Sequence, residues 1–321
     1  MALVSVIIPV YNAALHLSAT LESALGQTYA EKEIIVVDDQ STDASYAIAQ
    51  QYEPKGVKVV RQPNSGAAVA RNTGLAHAQG RYIQFLDAGD LLDPSKIEEQ
   101  MAALDGAEDK VAVCNYIQFS EEAGLKTLSP PDQSRFIFSS DDPLDFLVRL
   151  LGGKGESNFI QTNCWLVPRN LIDKAGGWRN YRCPDDDGEF FTRVLLASKG
   201  IVYVPGVYNY YRISPGGVNQ LSQNKNRHYL RNTLLTIDLK YQYLQQKGFH
   251  PLTKAAMARQ YLDFAVYSYP EQKILSAMAQ KRYRLLNTKM TVPMLGNRLV
   301  EWVGAVFGWK VARMVSYYLG M

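Results

Sequence analysis

RYIQFLDAGDLLDP, residues 81–94, decides how the chain is read. Tyr82, Ile83, Phe85 and Leu86 are aromatic or branched, with Gln84 the only polar interruption, and predict a strand. Asp87-Ala88-Gly89-Asp90 then breaks it. Unpaired buried carboxylates are costly, so two of them on a Gly-containing turn at the mouth of a strand make a poor core. They suit a hard divalent cation, which takes oxygen ligands and tolerates a bridging phosphate. A plain acidic turn capping the next helix is the alternative. Asp93-Pro94 predicts the start of that helix, with the Glu-rich run Ile97 to Met101 behind it.

Working outward, the same pattern recurs. Leu3 to Val10 reads as a fully buried strand ended by Tyr11-Asn12, with a helix to about Leu25. Glu33 to Asp38 is a second strand; Asp39 to Asp43 turns and caps a helix to about Tyr52. Val57 to Arg61 is a third strand, and Asn64-Ser65-Gly66 opens a helix carrying Arg71 and Leu75. Strands alternating with helices predict right-handed βαβ units and a mostly parallel sheet, an α/β fold. Ligands bind at the C-terminal strand ends of such sheets. The polar turns Pro9 to Asn12, Asp38 to Ser41 and Asp87 to Asp90 all fall there. No G-x-G-x-x-G follows the first strand and no P-loop is present, so a bound diphosphate would need a cation instead of a glycine cradle.

Farther along, Val111 to Phe119 and Trp165 to Pro168 predict strands, with a less regular stretch over 120–160 that could carry substrate contacts. Asp185-Asp186-Asp187 opens a helix. A solvated acidic N-terminus accounts for it, as does a general base tuned by neighbouring carboxylates. Ile201 to Val204 predicts a short strand, and Tyr208 to Arg212 leads into a Pro-Gly-Gly loop.

The net charge of +3 hides a split. Residues 1–215 hold 19 Lys and Arg against 27 Asp and Glu, a net of −8; residues 216–321 hold 15 against 4, a net of +11. The expected division is therefore a sheet domain over 1–215 and a helical, basic region over 216–321, with helices through 225–285. Leu295 to Tyr318 combines Trp302, Phe307 and Trp309 with basic residues and reads as an interfacial helix on a membrane, or as a terminal helix docked on the protein. Nucleic acid is the rival anion, but no nucleic-acid motif is present, so no nucleic-acid partner is expected. No apolar run approaches the roughly 18 residues of a membrane span, and Leu3 to Val10 lacks the flanks of a signal peptide. Three widely spaced cysteines suggest no disulfide framework, hence a reducing, cytoplasmic setting.

VSVIIPVYNAALHL, EIIVVDDQSTD, NSGAAVARNTGL, GRYIQFLDAGDLLDP and PDDDGEFFTRVL, in that order, resemble the family 2 glycosyltransferases of GT-A fold over residues 1–215. The resemblance implies inverting transfer of a sugar from a nucleotide-sugar, foremost a UDP-sugar, with Mn2+ or Mg2+ as cofactor. The acceptor is a glycan or lipid-linked hydroxyl in surface polysaccharide or glycolipid synthesis. It implies that Pro9, Tyr11, Asp38 and Asp39 hold the nucleoside, Asp39 accepting a uracil N3–H, and that Arg71 contacts the nucleotide. Asp87 serves sugar and diphosphate, and Asp87 and Asp90 the metal. Asp187 is the implied base, with Asp186 as the first acid of the pair. Two departures stand out. Gly89 occupies the place of the family's middle acid, and no Gln-x-x-Arg-Trp is present. A GT-A module impaired at Gly89, binding nucleotide or glycan only, is the runner-up. A nucleotidyltransferase is disfavoured for want of a Gly-rich basic loop after the first strand.

Overall fold

The computed structural model describes residues 1–120, 130–213 and 226–319. The chain divides into two compact units. The first comprises residues 1–143, 160–182 and 190–220, and the second residues 144–159, 183–189 and 221–321. The expected boundary at 215/216, and the Pro-Gly-Gly loop with it, lie outside the described residues, as does the stretch 121–129 of the irregular region.

The first unit is built on one sheet of eight strands. In chain order these are β1 (Val4–Val10), β2 (Lys32–Asp38), β3 (Val57–Arg61), β4 (Tyr82–Phe85), β5 (Leu91–Leu92), β6 (Lys110–Phe119), β7 (Trp165–Pro168) and β8 (Gly200–Arg212). Their spatial order is β3-β2-β1-β4-β7-β6-β8-β5. Pairs β1–β2, β1–β4, β2–β3 and β6–β8 are parallel; β4–β7, β6–β7 and β5–β8 are antiparallel. The parallel half carries the unbroken apolar runs because both faces are covered: every residue of β1 is buried. Gln84 interrupts β4 without cost because it is satisfied. Its Nε2 donates to the Asn163 carbonyl at 2.9 Å, and its Oε1 accepts the buried Lys96 ammonium at 2.5 Å.

Helices α1 (Leu17–Leu25), α2 (Ser45–Gln50) and α3 (Ala67–His77) connect the first four strands, α4 (Lys96–Leu104) leads to β6, α5 (Pro143–Leu150) precedes β7, and α6 (Arg169–Ala175) follows it. Helix α7 (Asp186–Ala197) begins where the acidic run predicts a helix. Its Phe190 stacks on Trp178 with centroids 4.0 Å apart, and Phe191 stacks on Trp165 at 5.2 Å. Phe85 meets Trp178 and Phe190 edge-on. Each such pair adds about 0.5–1.5 kcal/mol beyond burial, so this cluster is a stiff floor beneath the end of β4.

The second unit contains α8 (Arg227–Lys247), α9 (Thr253–Ser268), α10 (Lys273–Leu285), α11 (Arg298–Phe307) and α12 (Trp309–Leu319). The single terminal helix expected over 295–318 is instead two helices. Gly308, at φ +83°, breaks them, a conformation other residues rarely take. Val300 and Ala312 close this pair onto Leu262, Val266 and Leu295.

Candidate functional site

The turns after β1, β2 and β3 are tied to one another at the C-terminal edge of the sheet. Pro9 sits on β1 beyond the last residue of β4, on the same side as Ile7, whose carbonyl takes the Leu86 N–H. Its missing N–H therefore interrupts no ladder. Asn12, at φ +49°, donates its N–H to Ser41 Oγ at 3.1 Å and accepts the Thr42 N–H on Oδ1 at 2.8 Å. Ala13 N–H donates to Ser45 Oγ. Beside this lock the Tyr11 side chain is 53 % exposed, an aromatic face at the edge of the sheet.

Asp38 and Asp39 are turned inward. Asp38 is fully buried, with Arg61 Nε 3.1 Å from its Oδ2. Asp39 accepts Gln62 Nε2 at 2.7 Å and Ser65 N–H at 2.9 Å on Oδ1, and Gly66 N–H at 2.8 Å on Oδ2. It is 3 % exposed. In this arrangement Asp39 anchors the β3–α3 turn, and the expected acceptance of a uracil N3–H is confined to what those donors leave.

The 87–90 turn is the most constrained element. Asp87 is half-exposed, and its Oδ1 takes Arg71 Nη2 at 2.7 Å. Arg71 is buried and lies 4.4 Å over the Trp178 ring, so the aromatic floor fixes its direction. Thr20 Oγ1 accepts the Gly89 N–H at 2.9 Å and donates to the Asp90 carbonyl at 2.9 Å. Asp90 is 4 % exposed. Its Oδ2 takes Asn163 Nδ2 at 2.7 Å, and its Oδ1 takes the Arg212 backbone N–H at 2.9 Å. Asn163 also accepts the Asp87 N–H on Oδ1 at 3.1 Å. Burial, and after it the charge of Asp87, push the Asp90 carboxyl well above the usual carboxylate range, against the Arg212 N–H that favours its ionised form. Asp87 and Asp90 thus do not stand together as a pair of open ligands: one faces outward, the other is consumed internally. Among the described residues no group of three His, Cys, Asp or Glu could hold a metal ion. The donor set fits a resident divalent cation poorly.

Two members of this turn were not singled out from the sequence, Asn163 and Arg212. Arg212 Nε donates to the Gly89 carbonyl at 2.7 Å, and its guanidinium lies 4.5 Å over the Phe119 ring. It reaches the turn because β8 runs on to Arg212 instead of stopping near Val204.

The three aspartates before Gly188 separate by role. Asp185 is an anchor: Lys240 Nζ donates to its Oδ1 at 2.7 Å and Thr236 Oγ1 to its Oδ2 at 2.6 Å, with Lys240 fully buried. Asp186 and Asp187 form the first turn of α7, half-buried. Asp187 N–H donates to Asp186 Oδ1 at 2.9 Å, and Gly188 N–H to Asp187 Oδ1 at 2.8 Å.

A mostly parallel sheet with a polar strand edge and a half-exposed aspartate backed by arginine defines a GT-A type fold. The family model for glycosyl transferase family 2 matches residues 5–173, and the chain belongs to that family. It is 27% identical over 295 residues to the glycosyltransferase GlyA of Streptococcus pneumoniae, covering 88% of this chain and 41% of that protein. It is 48% identical over 102 residues to the putative teichuronic acid biosynthesis glycosyltransferase TuaG of Bacillus subtilis, covering 31% of this chain and 40% of TuaG. The matched stretches thus cover less than half the length of either relative. Among solved structures it is similar to S. aureus TarS 1-349 in complex with UDP-GlcNAc, at TM-score 0.63 and 18% identity, with 99% of this chain and 92% of that one covered. The mannosyltransferase PcManGT of Pyrobaculum calidifontis, in complex with GDP-Man and Mn2+, matches at TM-score 0.56 and 17% identity over 98% and 86% of the two chains.

Proposed function

We propose that the chain is an inverting glycosyltransferase. It moves a sugar from a nucleoside diphosphate sugar, foremost a UDP-sugar, to a hydroxyl of a glycan or lipid-linked acceptor in cell-surface polysaccharide or glycolipid synthesis. The observation that carries this is the half-exposed Asp87 held by Arg71 on an interlocked strand edge, in a family 2 chain. The relative named for teichuronic acid biosynthesis supports the polymer class, and the neighbour with UDP-GlcNAc supports the donor class. In this reading Tyr11 offers a face to the base and Pro9, Asp38 and Asp39 shape the pocket around it. Asp87 meets the sugar and diphosphate. Asp187, beside Asp186, takes the acceptor proton as the sugar centre inverts. A divalent cation, if bound, would meet Asp87 and neutralise diphosphate charge. Calorimetry across a panel of UDP- and GDP-sugars tests it. One donor is expected to bind and to be turned over with a supplied acceptor. No binding by any of them would sink the reading. Binding of a nucleotide-sugar with neither transfer nor hydrolysis would establish the impaired-module alternative, which Gly89 motivates.

The second part of the reading is attachment to the cytoplasmic face of a membrane. Leu299, Trp302 and Val306, spaced three and four apart on α11, are more than half exposed, as is Phe307. The basic residues around them would each contribute about 1 kcal/mol at an anionic leaflet. Trp309, expected to belong to the same face, packs instead against the Leu262–Val300 cluster and Tyr269. No described helix is long and apolar enough to cross a membrane. Because Val300 and Ala312 are core, truncation would unfold the region, and point changes are the cleaner test. Full-length protein is expected to float with anionic liposomes at low salt, and Trp302→Ser with Phe307→Ser to abolish flotation without changing the melting curve. Equal flotation of wild type and variant removes the α11 face from the argument.

A further inference from the structure

We propose that this chain binds the diphosphate of its donor without a divalent cation, Arg71 and Arg212 supplying the positive charge. The proposal rests on the donor reading above and goes one step past it, to the chemistry of diphosphate capture.

Three features of the 87–90 turn lead there. First, the turn offers a cation few open oxygens. Both Asp90 carboxylate oxygens accept N–H groups, from Asn163 and from Arg212, inside a nearly closed site. Asp87 already has one oxygen on Arg71. Gly89 brings no side chain, and at φ +120° its backbone takes a shape that an acidic residue there would strain to adopt. A divalent ion at a phosphate site, held by one or two carboxylates with phosphate and water completing its shell, would find here a single, partly committed carboxylate.

Second, cations already stand beside these carboxylates. Two guanidinium groups, the buried Arg71 and the half-buried Arg212, flank Asp87 and Asp90. They offset part of the repulsion that a diphosphate would meet from the carboxylates.

Third, both arginines are held in place by apolar surfaces rather than by solvent. Arg71 lies on Trp178 and Arg212 on Phe119. Guanidinium stacks on rings while its planar donors stay directed, and it suits phosphate oxygens by geometry as well as charge. The Arg212 Nε–H···O bond to Gly89 ties that side chain to the residue that lacks a carboxylate.

The experiment is calorimetry of UDP, and GDP in parallel, with chelator and with manganese, on wild type, Arg212→Gln and Arg212→Lys. Uridine and guanosine serve as phosphate-free controls. One nucleoside diphosphate is expected to bind equally with chelator and with manganese. Arg212→Gln is expected to weaken it roughly 10-fold or more, the scale of a lost charged hydrogen bond, and to leave the nucleoside unchanged. Arg212→Lys keeps the charge but not the fork, and should fall between. Binding that appears only with manganese overturns the proposal and leaves the donor reading standing. Equal loss of diphosphate and nucleoside in Arg212→Gln with normal affinity in Arg212→Lys also overturns it, since the residue would then act on the fold. Failure of both UDP and GDP under every condition defeats the donor reading and this proposal together.

Discussion

Asp187→Asn is expected to lower sugar transfer on the order of 10²–10⁴-fold and to leave nucleotide affinity within about twofold of wild type. The expectation follows from where charge changes. A base acts on the acceptor hydroxyl in the transition state, so its loss falls on kcat and hardly on donor binding. The neighbouring acids provide the controls. Asp185 is bound through both oxygens by Lys240 and Thr236, so Asp185→Asn breaks a buried pair and should appear as lost stability. Asp186 accepts the Asp187 N–H at the start of α7, and Asp186→Asn keeps that acceptor with a modest effect on either quantity. Rates from single-turnover assays, affinities from calorimetry and thermal melts of all three variants separate the roles. If Asp186→Asn is the inactive protein and Asp187→Asn transfers normally, the base is one residue earlier. If Asp187→Asn loses nucleotide and rate together, the residue is structural.

The sheet was legible because parallel strands covered on both faces leave long apolar runs. Leu3 to Val10, Glu33 to Asp38, Val57 to Arg61 and Tyr82 to Leu86 each give a strand within a residue or two of its expected ends. The turns were legible because Asn12 and Gln40 take positive φ and because Asp43 and Asp93 accept the N–H two residues on. What those aspartates do was less legible. A carboxylate that opens toward solvent and one that anchors a turn look the same in sequence. The difference between Asp87 and Asp90 is made by Asn163 and Arg212, 73 and 122 residues from Asp90. Neither partner has a local signature: Asn163 sits in a three-residue turn before β7, and Arg212 follows Pro205-Gly206, which reads as the end of a strand. The strand resumes through a register shift opposite Val113 and Asn115, and only that continuation brings Arg212 to the turn. The terminal helix failed as a single unit for a local reason that was readable, Gly308.

The lock on the 87–90 turn makes Asn163→Ala a strongly destabilising change. Asn163 is fully buried and answers both ends of the turn, accepting the Asp87 N–H and donating to Asp90 Oδ2. Its removal leaves a half-buried backbone donor and a buried carboxylate oxygen without it, at about 2–4 kcal/mol, since groups stranded away from water cost their desolvation. Asn163→Asp keeps the acceptor for Asp87 but turns a second carboxylate on Asp90, and should be no better. Acid should narrow the gap. The Asp90 carboxyl, buried and facing Asp87, already titrates above the usual range, so its ionised form costs stability at any pH above its folded pKa. Protonation relieves that cost as pH falls through the folded pKa toward the ordinary value of about 3.9. Without Asn163 the ionised form is less supported still, so the deficit against wild type should be largest at neutral pH and smaller in mild acid. Urea midpoints at the two pH values measure it, with unchanged slope. A deficit below about 0.5 kcal/mol at neutral pH, the range of ordinary surface changes, would mean that the turn is held by Thr20 and Arg212 alone.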